Sequence, residues 1–152
     1  MKTLKVILGA FLTISLLAFI KAGDKVPEKV RQAFTKKFPT VNKVKWEKEN
    51  EREWEAEFKL NKVEYSANFL VDGTWQETEH EIDETEVPQQ VNAALISAFP
   101  GYEVEEVEIS ESYTGIVYEF EIEKGESDME VTIDAAGKII KKESIEKDEE
   151  KD

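Results

Sequence analysis

One fourteen-residue unit occurs twice in this chain, and this repetition constrains the fold more than any other feature. Residues 26–39 read VPEKVRQAFTKKFP, and residues 87–100 read VPQQVNAALISAFP, 61 positions later. Both copies fit the pattern V-P-x-x-V-x-x-A-[FL]-x-x-x-F-P. Self-similarity at a fixed period is the signature of a repeat architecture. We therefore predict a tandem duplication, with a first unit over residues 23–83 and a second over residues 84–145.

Each copy of the unit predicts an amphipathic helix, because its apolar residues recur at helical spacing. They are Val30, Ala33, Phe34 and Phe38 in the first copy, and Val91, Ala94, Leu95 and Phe99 in the second. Pro27 and Pro88 stand where a first-turn proline is tolerated. Asp24 and Thr85 are predicted to supply capping oxygens. The proline that closes each copy ends the helix, since the residue before a proline is pushed out of the α region.

The sequence after each helix alternates between apolar and polar residues with the period of a strand. The apolar positions are Trp54, Ala56, Phe58 and Leu60 in the first copy, and Ile116, Tyr118, Phe120 and Ile122 in the second. Glutamates occupy much of the opposite face, at Glu53, Glu55, Glu57, Glu119, Glu121 and Glu123. With the segments near 41–48 and 74–81, each unit becomes one helix followed by four strands. The offset drifts from 61 to 64 residues, which predicts insertions in hairpin loops around 110–115 and 124–127.

The alternation with short turns predicts antiparallel strands that have one covered face and one wet face. We predict an α+β fold: a two-layer sandwich in which one continuous antiparallel sheet of eight strands carries two helices on one face. A unit of about 60 residues would be marginal alone, so both units should share one core. The charged residues 146–152 are predicted to form a disordered acidic tail.

The N-terminus predicts export. Residues 1–22 combine a basic start with an apolar run from residue 6 to residue 20, which is typical of a secretory signal peptide. The run is shorter than a bilayer core, although an uncleaved anchor is the alternative. The chain has no cysteine, so we expect neither a lipoprotein anchor nor disulfides. The predicted location is periplasmic or secreted, with no membrane association after cleavage.

Charge narrows the range of partners. Without residues 1–22 the chain has 17 lysines and arginines against 34 aspartates and glutamates, a net charge of −17. Such acidity argues against nucleic acid, whose binding depends on lysine and arginine. It also argues against anionic membrane surfaces. It favours solubility and a basic or cationic partner.

The repeated helix pattern, the W-x-A-x-F strand at residues 54–58 and the Asp72-Gly73 turn together resemble the PepSY-like family. The resemblance covers residues 25–145 as two copies. It implies an exported bacterial protein with two helix-plus-four-strand units and one antiparallel sheet. The family is also described as resembling β-lactamase-inhibitor proteins, and relatives in the wider group are thought to bind or inhibit other proteins, often peptidases. Those inhibitors use disulfides, which this chain lacks, so β-lactamase itself is not a predicted target.

No residue pattern predicts catalysis. His80 is the only histidine, and one histidine without cysteine does not make a zinc site. We expect His80 to be an exposed strand residue, with a pKa raised by Glu79 and Glu81. The glutamates of the wet strand face are expected to keep similar pKa values, which argues against an acid–base pair. The acidic segments lack the spacing of a calcium loop, so we predict no metal site and no cofactor.

The leading hypothesis is an exported, non-enzymatic module that binds a protein or peptide through the open sheet face or a sheet edge, as a monomer. A peptidase-modulating, inhibitor-like role is implied by the resemblance alone. The predicted partner-binding residues are Trp46, Glu53, Glu55, Glu57, Trp75, Glu119 and Glu121. The alternative is an envelope protein that binds a small ligand or cation on its glutamate face.

Overall fold

The computed structural model describes residues 25–145, so the predicted signal peptide and the predicted acidic tail lie outside the described residues. The elements are α1 (Glu28–Lys37), β1 (Val44–Lys48), β2 (Glu53–Leu60), β3 (Val63–Leu70), β4 (Trp75–Glu81), a 3-10 turn (Glu84–Glu86), α2 (Gln89–Ala98), β5 (Glu103–Ser112), β6 (Gly115–Lys124), β7 (Ser127–Asp134) and β8 (Ile139–Ile145). Neither helix in this part of the chain has the length and apolar character needed to cross a membrane.

The eight strands form one antiparallel sheet, in which every strand pairs with its neighbours in chain order from β1 to β8. This confirms the predicted sheet and its two helices. The extra length of the second half lies mainly in its strands: β5 and β6 each have ten residues, whereas β1 has five and β2 has eight. The prediction of insertions in the hairpin loops is therefore wrong for residues 110–112, 115, 124 and 127, which are ladder residues.

Both helices begin directly after a proline that serves as the N-cap residue. Pro27 and Pro88 have nearly identical backbone angles, and neither helix has a side-chain cap. The predicted capping role of Thr85 is wrong, because Thr85 lies in the 3-10 turn and donates to the carboxylate of Asp83. The helix itself starts four residues later, beyond the reach of that hydroxyl. Asp24 lies outside the described residues.

The core consists of two clusters, one under each helix. Val30 and Phe34 of α1 pack on the apolar residues of β2 and β3, and Val91 and Leu95 of α2 pack on those of β5 to β7. These four predicted helix positions are all buried. Cross-strand register places both clusters on the same face: His80 on β4 is opposite Ile109, and Ile109 is opposite Tyr118. The two helices therefore cover one side of the sheet, as predicted.

Two turn glycines lie close beneath the first turns of the helices. Gly73 has a φ of +91°, and a Cβ placed there would be 2.8 Å from the carbonyl oxygen of Lys29. Gly137 has a φ of +85°, and its Cβ would be 2.8 Å from the carbonyl oxygen of Gln90. Both the positive φ and the missing side chain are needed at these contacts. These two close contacts set the distance between each helix and the sheet.

Strand β4 does not alternate strictly between the two faces of the sheet, because its pairing with β3 contains a β-bulge. The pairing of β3 with β4 shifts between Asn68 and Phe69, so that Phe69 is opposite Trp75 while Asn68 is opposite Glu77. The bulge inserts one extra residue, Gln76, into β4. A bulge breaks strict alternation by re-aiming the side chains on one side of it. Trp75 therefore shares the helix side with residues of the other parity further along β4.

Candidate functional site

The sheet surface opposite the helices is called the open face here. It carries the five predicted glutamates of β2 and β6, because their neighbours in sequence point into the core. These are Glu53, Glu55, Glu57, Glu119 and Glu121, and all five are half-buried. The structure thus places the carboxylates predicted from the alternation on one common surface.

The two edges of the open face are partly neutralised by lysines. At the β1 edge, Lys45 contacts Glu47 and lies 2.9 Å from the carboxylate of Glu57. These hydrogen bonds raise the pKa of Lys45 further above its ordinary value, so it remains charged. At the β8 edge, Lys141 lies 3.2 Å from the carboxylates of both Glu130 and Glu143.

The centre of the open face has carboxylates in rows across the strands. Glu81, Glu108 and Glu119 lie opposite one another on β4, β5 and β6. A second row runs from β5 to β8 through Glu106, Glu121, Glu130 and Glu143. Directly opposed like charges destabilise a strand pair. Within residues 25–145, no lysine or arginine forms an ion pair with the carboxylates of β4, β5 or β6 on this face.

Glu79 is the most buried carboxyl group of the open face. Only 6% of its surface is exposed. Its carboxylate lies 3.5 Å from the hydroxyl of Ser66 on β3, and it is also hydrogen-bonded to Ser110 on β5. Burial raises the pKa of Glu79 to about 8, and repulsion from Glu77 and Glu119 adds to this shift.

The same physical cause acts on other carboxyls of the face. Burial raises the pKa of Glu108 and of Glu119 to about 7, and neighbouring carboxylates add to both shifts. Burial also raises the pKa of Glu55 to about 8, and a hydrogen bond with the carboxyl of Glu49 adds to that shift. The prediction that the glutamates of the wet face keep similar pKa values is therefore wrong at Glu55. Side chains of the neighbouring strands remove water from this carboxyl group. Strand alternation within β2 predicts a water-exposed carboxyl, because it takes no account of those neighbours.

The two predicted tryptophans lie on the helix side of the sheet, away from the glutamates. The Trp46 ring packs edge-on against Phe34, with ring centres 5.2 Å apart. The Trp75 indole donates to the hydroxyl of Thr78, and the ammonium of Lys37 lies 3.5 Å from its ring centre. Both rings pack against the first core cluster and are half-buried. The structure therefore does not bring the seven predicted partner-binding residues together on one surface.

His80 also points to the helix side. Its ring stacks on Tyr65 with centres 4.3 Å apart. Burial lowers the pKa of His80, and the carboxylate of Glu86 opposes that shift. The predictions of an exposed histidine with a raised pKa are wrong, because adjacent strand residues point to opposite faces and Glu79 and Glu81 point away from the ring.

Two groups of three carboxylates come close enough to share a cation. Oxygens of Glu47, Glu55 and Glu57 lie within 4.8 Å of one another, and so do those of Glu103, Glu105 and Glu123. Lys45 already contacts two members of the first group. Exposed glutamates often cluster in this way on acidic surfaces, so proximity alone assigns no metal.

A family model described as "putative beta-lactamase-inhibitor-like, PepSY-like" matches residues 52–141, more than half of the chain. The protein belongs to this PepSY-like family. The match is one continuous span from the start of β2 into β8, so it does not mark two copies, and the tandem duplication remains a prediction. No curated protein matches the chain.

Crystal structures of Bacteroides proteins have the same fold. A DUF2874 family protein from Bacteroides uniformis has a TM-score of 0.72 at 21% identity, over 79% of this chain and 90% of that chain. A protein from Bacteroides eggerthii described as "putative periplasmic" has a TM-score of 0.72 at 19% identity, over 80% and 91%. A BLIP-like protein from Bacteroides fragilis has a TM-score of 0.71 at 19% identity, over 86% and 94%. At such identities the likeness shows the fold alone.

Proposed function

We propose that this protein is an exported, non-enzymatic binding module whose open face receives a basic segment of another protein or peptide. The observation that carries the proposal is the set of carboxylate rows on β4, β5 and β6, which no ion pair from the described residues neutralises. The helices seal the opposite side of the sheet, so the open face is the broad surface left for a partner. Complementary charge steers such encounters and favours lysine and arginine on the incoming segment.

Docking on the face is favoured over pairing at a sheet edge. β1 carries Lys45 and Lys48, and β8 carries Lys141 and Lys142 at its centre. Lysines on edge strands are a common means of preventing another strand from adding to a sheet. The unpaired main-chain groups at these edges are thus protected by charge, while the open face presents charge of the opposite sign.

Family membership supports export and an inhibitor-like role. The family description names an inhibitor-like protein, and one structural neighbour is described as periplasmic. These descriptions support a secreted or periplasmic location and a partner that is itself a protein, with a peptidase as one class. An internal duplication would explain how a short chain acquired so wide a sheet.

Binding of synthetic peptides tests the proposal. A labelled peptide of alternating lysine and threonine should bind the purified protein at low salt, and a peptide of alternating glutamate and threonine should not. The double variant Glu119→Lys/Glu121→Lys should abolish binding. The matched control Glu84→Lys/Glu111→Lys changes the net charge equally but lies away from the open face, and it should retain binding. An equal loss of peptide binding in both double variants would show that net charge alone accounts for the binding, and it would refute the proposed site.

Cation binding is the second candidate, favoured by the proximity of Glu103, Glu105 and Glu123. Calcium prefers oxygen ligands, and its binding sites use several carboxylates. Calorimetry with calcium and magnesium decides this question. A saturable, calcium-selective heat that Glu123→Gln removes would support the second candidate, whereas weak and salt-sensitive heats from every cation would indicate screening.

A further inference from the structure

The buried carboxyl groups of the open face lie at the junction between the two halves of the sheet. Glu79 on β4 and Glu108 on β5 belong to the strand pair that joins the halves, and Glu119 on β6 lies opposite Glu108. Glu79 is nearly inaccessible to water, and the other two are half-buried. These three groups are called the junction carboxyls here.

The surroundings of the junction carboxyls are neutral or acidic in every direction but one. The open-face groups around them are Ser66 and Asn68 on β3, Glu77 and Glu81 on β4, Glu106 and Ser110 on β5, Glu121 on β6, Glu130 and Thr132 on β7, and Lys141 and Glu143 on β8. Lys141 acts on Glu119 at long range and is held by Glu130 and Glu143. The described strands therefore supply hydroxyls, carboxylates and one amide around the junction, and one distant ammonium.

We propose that docking on the open face is controlled by protons: the junction carboxyls hold protons in the free protein and release them when a basic segment covers them. This inference rests on the proposed function and adds its regulation. Buried carboxyl groups next to other carboxylates avoid the cost of a buried charge and their mutual repulsion by staying protonated. An incoming lysine or arginine supplies the missing positive charge, so the ionised form becomes the favoured one.

Because binding is linked to the release of protons, the affinity for the basic segment depends on pH. Burial raises the pKa of Glu79 to about 8 and the pKa values of Glu108 and Glu119 to about 7. If binding requires one of these groups to lose its proton, affinity falls about tenfold for each pH unit below its pKa. Acidification should therefore release the partner, and a mildly alkaline medium should retain it.

Calorimetry and NMR together test the inference on the purified protein. The alternating lysine–threonine peptide is titrated between pH 5 and pH 9 in two buffers of different ionisation enthalpy. We expect affinity to rise with pH and the heat at pH 7 to depend on the buffer, which reports released protons. Glu79→Gln should reduce the number released, whereas Glu64→Gln removes an exposed carboxylate from the same face and should leave that number unchanged.

The outcomes separate the two proposals. Carboxyl carbon shifts of Glu79, Glu108 and Glu119, followed by NMR without peptide, should titrate near or above pH 7. Midpoints near the ordinary glutamate value, or an affinity and heat independent of pH and buffer, would overturn proton control while leaving the docking face intact. Failure of the peptide to bind at any pH would overturn the proposed basic partner and, with it, this inference.

Discussion

Glu79 lies opposite Ser110 across β4 and β5, and both side chains are almost completely buried, with 6% and 3% of their surfaces exposed. Burial and the neighbouring carboxylates favour the neutral acid here, because no nearby cation offsets an ionised form, and the hydrogen bond with Ser110, which favours the carboxylate, does not outweigh them. The strand pair that joins the halves of the sheet is therefore most stable when this proton is present. This relationship links the stability of the fold to the charge of the open face.

The pH dependence of stability follows from that buried acid. Because the folded pKa of Glu79 is about 8, above its ordinary value of 4.5, the folded protein keeps a proton that the unfolded chain releases. The free energy of unfolding should thus fall as pH rises from about 5 to about 8 and then level off. With about 1.4 kcal/mol per pKa unit, this group should account for a loss of about 2–4 kcal/mol.

Replacement of Glu79 by glutamine should remove that loss. The amide keeps the shape and the hydrogen bonds to the hydroxyls but cannot ionise. Urea unfolding should show Glu79→Gln more stable than the wild type at pH 8 by about 2–4 kcal/mol and little changed at pH 5. Glu111→Gln, at an exposed position on the helix side, is the control and should show no such difference. A wild-type stability that rises between pH 5 and pH 8 would contradict the account of Glu79.

The glycine beneath α2 provides a second stability test. Gly137→Ala introduces a Cβ 2.8 Å from the carbonyl oxygen of Gln90 at a φ of +85°, so we expect a loss of about 3 kcal/mol. Gly125→Ala is the matched control: its φ is +65°, but nothing lies within 4 Å of the new Cβ. Strain alone should cost that variant about 1 kcal/mol. Equal losses in urea unfolding would show that the close approach of helix and sheet is unimportant.

Adjacent residues of α2 distinguish core packing from helix surface. Leu95 is buried in the second core cluster, whereas Ile96 is 63% exposed. Leu95→Ala should lower the free energy of unfolding by about 2–5 kcal/mol, because it leaves a cavity under the helix. Ile96→Ala should change it by no more than about 0.5 kcal/mol. Thermal or urea denaturation measures both, and a large loss at Ile96 would reveal a contact beyond those of the described fold.

The placement of the tryptophans predicts which residues leave partner binding unchanged. Trp46→Phe and Trp75→Phe alter side chains on the helix side, so affinity for the basic peptide should stay within about twofold of the wild type. The double variant Glu119→Gln/Glu121→Gln should weaken the same binding by at least about tenfold. Fluorescence anisotropy measures both effects. A strong loss from either tryptophan variant would move the binding surface to the helix side.

Local periodicity was sufficient to predict most of the architecture. The stripe that includes Val30 and Phe34 has helical spacing, and these residues are buried under the sheet as expected. The alternation around Trp54 has strand spacing and correctly separates the core side from the open face. These predictions succeed because side-chain direction in a helix or strand is set by backbone geometry, which the order of residues reveals directly.

The candidate site was predicted only in part, because its chemistry depends on neighbours from other strands. In the sequence, Glu79 stands out only as a neighbour of His80. Its burial arises from Ser66 and Ser110, which are 13 and 31 positions away. Alternation alone likewise does not reveal the register shift near Phe69, which places Trp75 on the helix side of the sheet. The single clue in the sequence was that Glu79 is flanked by polar residues in a strand with no apolar alternation.

The order of amino acids by itself determined two helices that follow prolines, strands with one apolar and one acidic side, and a strong negative charge. The helices and strands depend only on residues a few positions apart, and the charge depends only on composition. Only the tertiary structure decided that the strands join into one sheet in chain order, which brings carboxyl groups of β4, β5 and β6 side by side. It also decided which of them lose water and keep a proton. Electrostatic environment is a property of residues distant in sequence and adjacent in space, and it follows from the fold rather than from any local pattern.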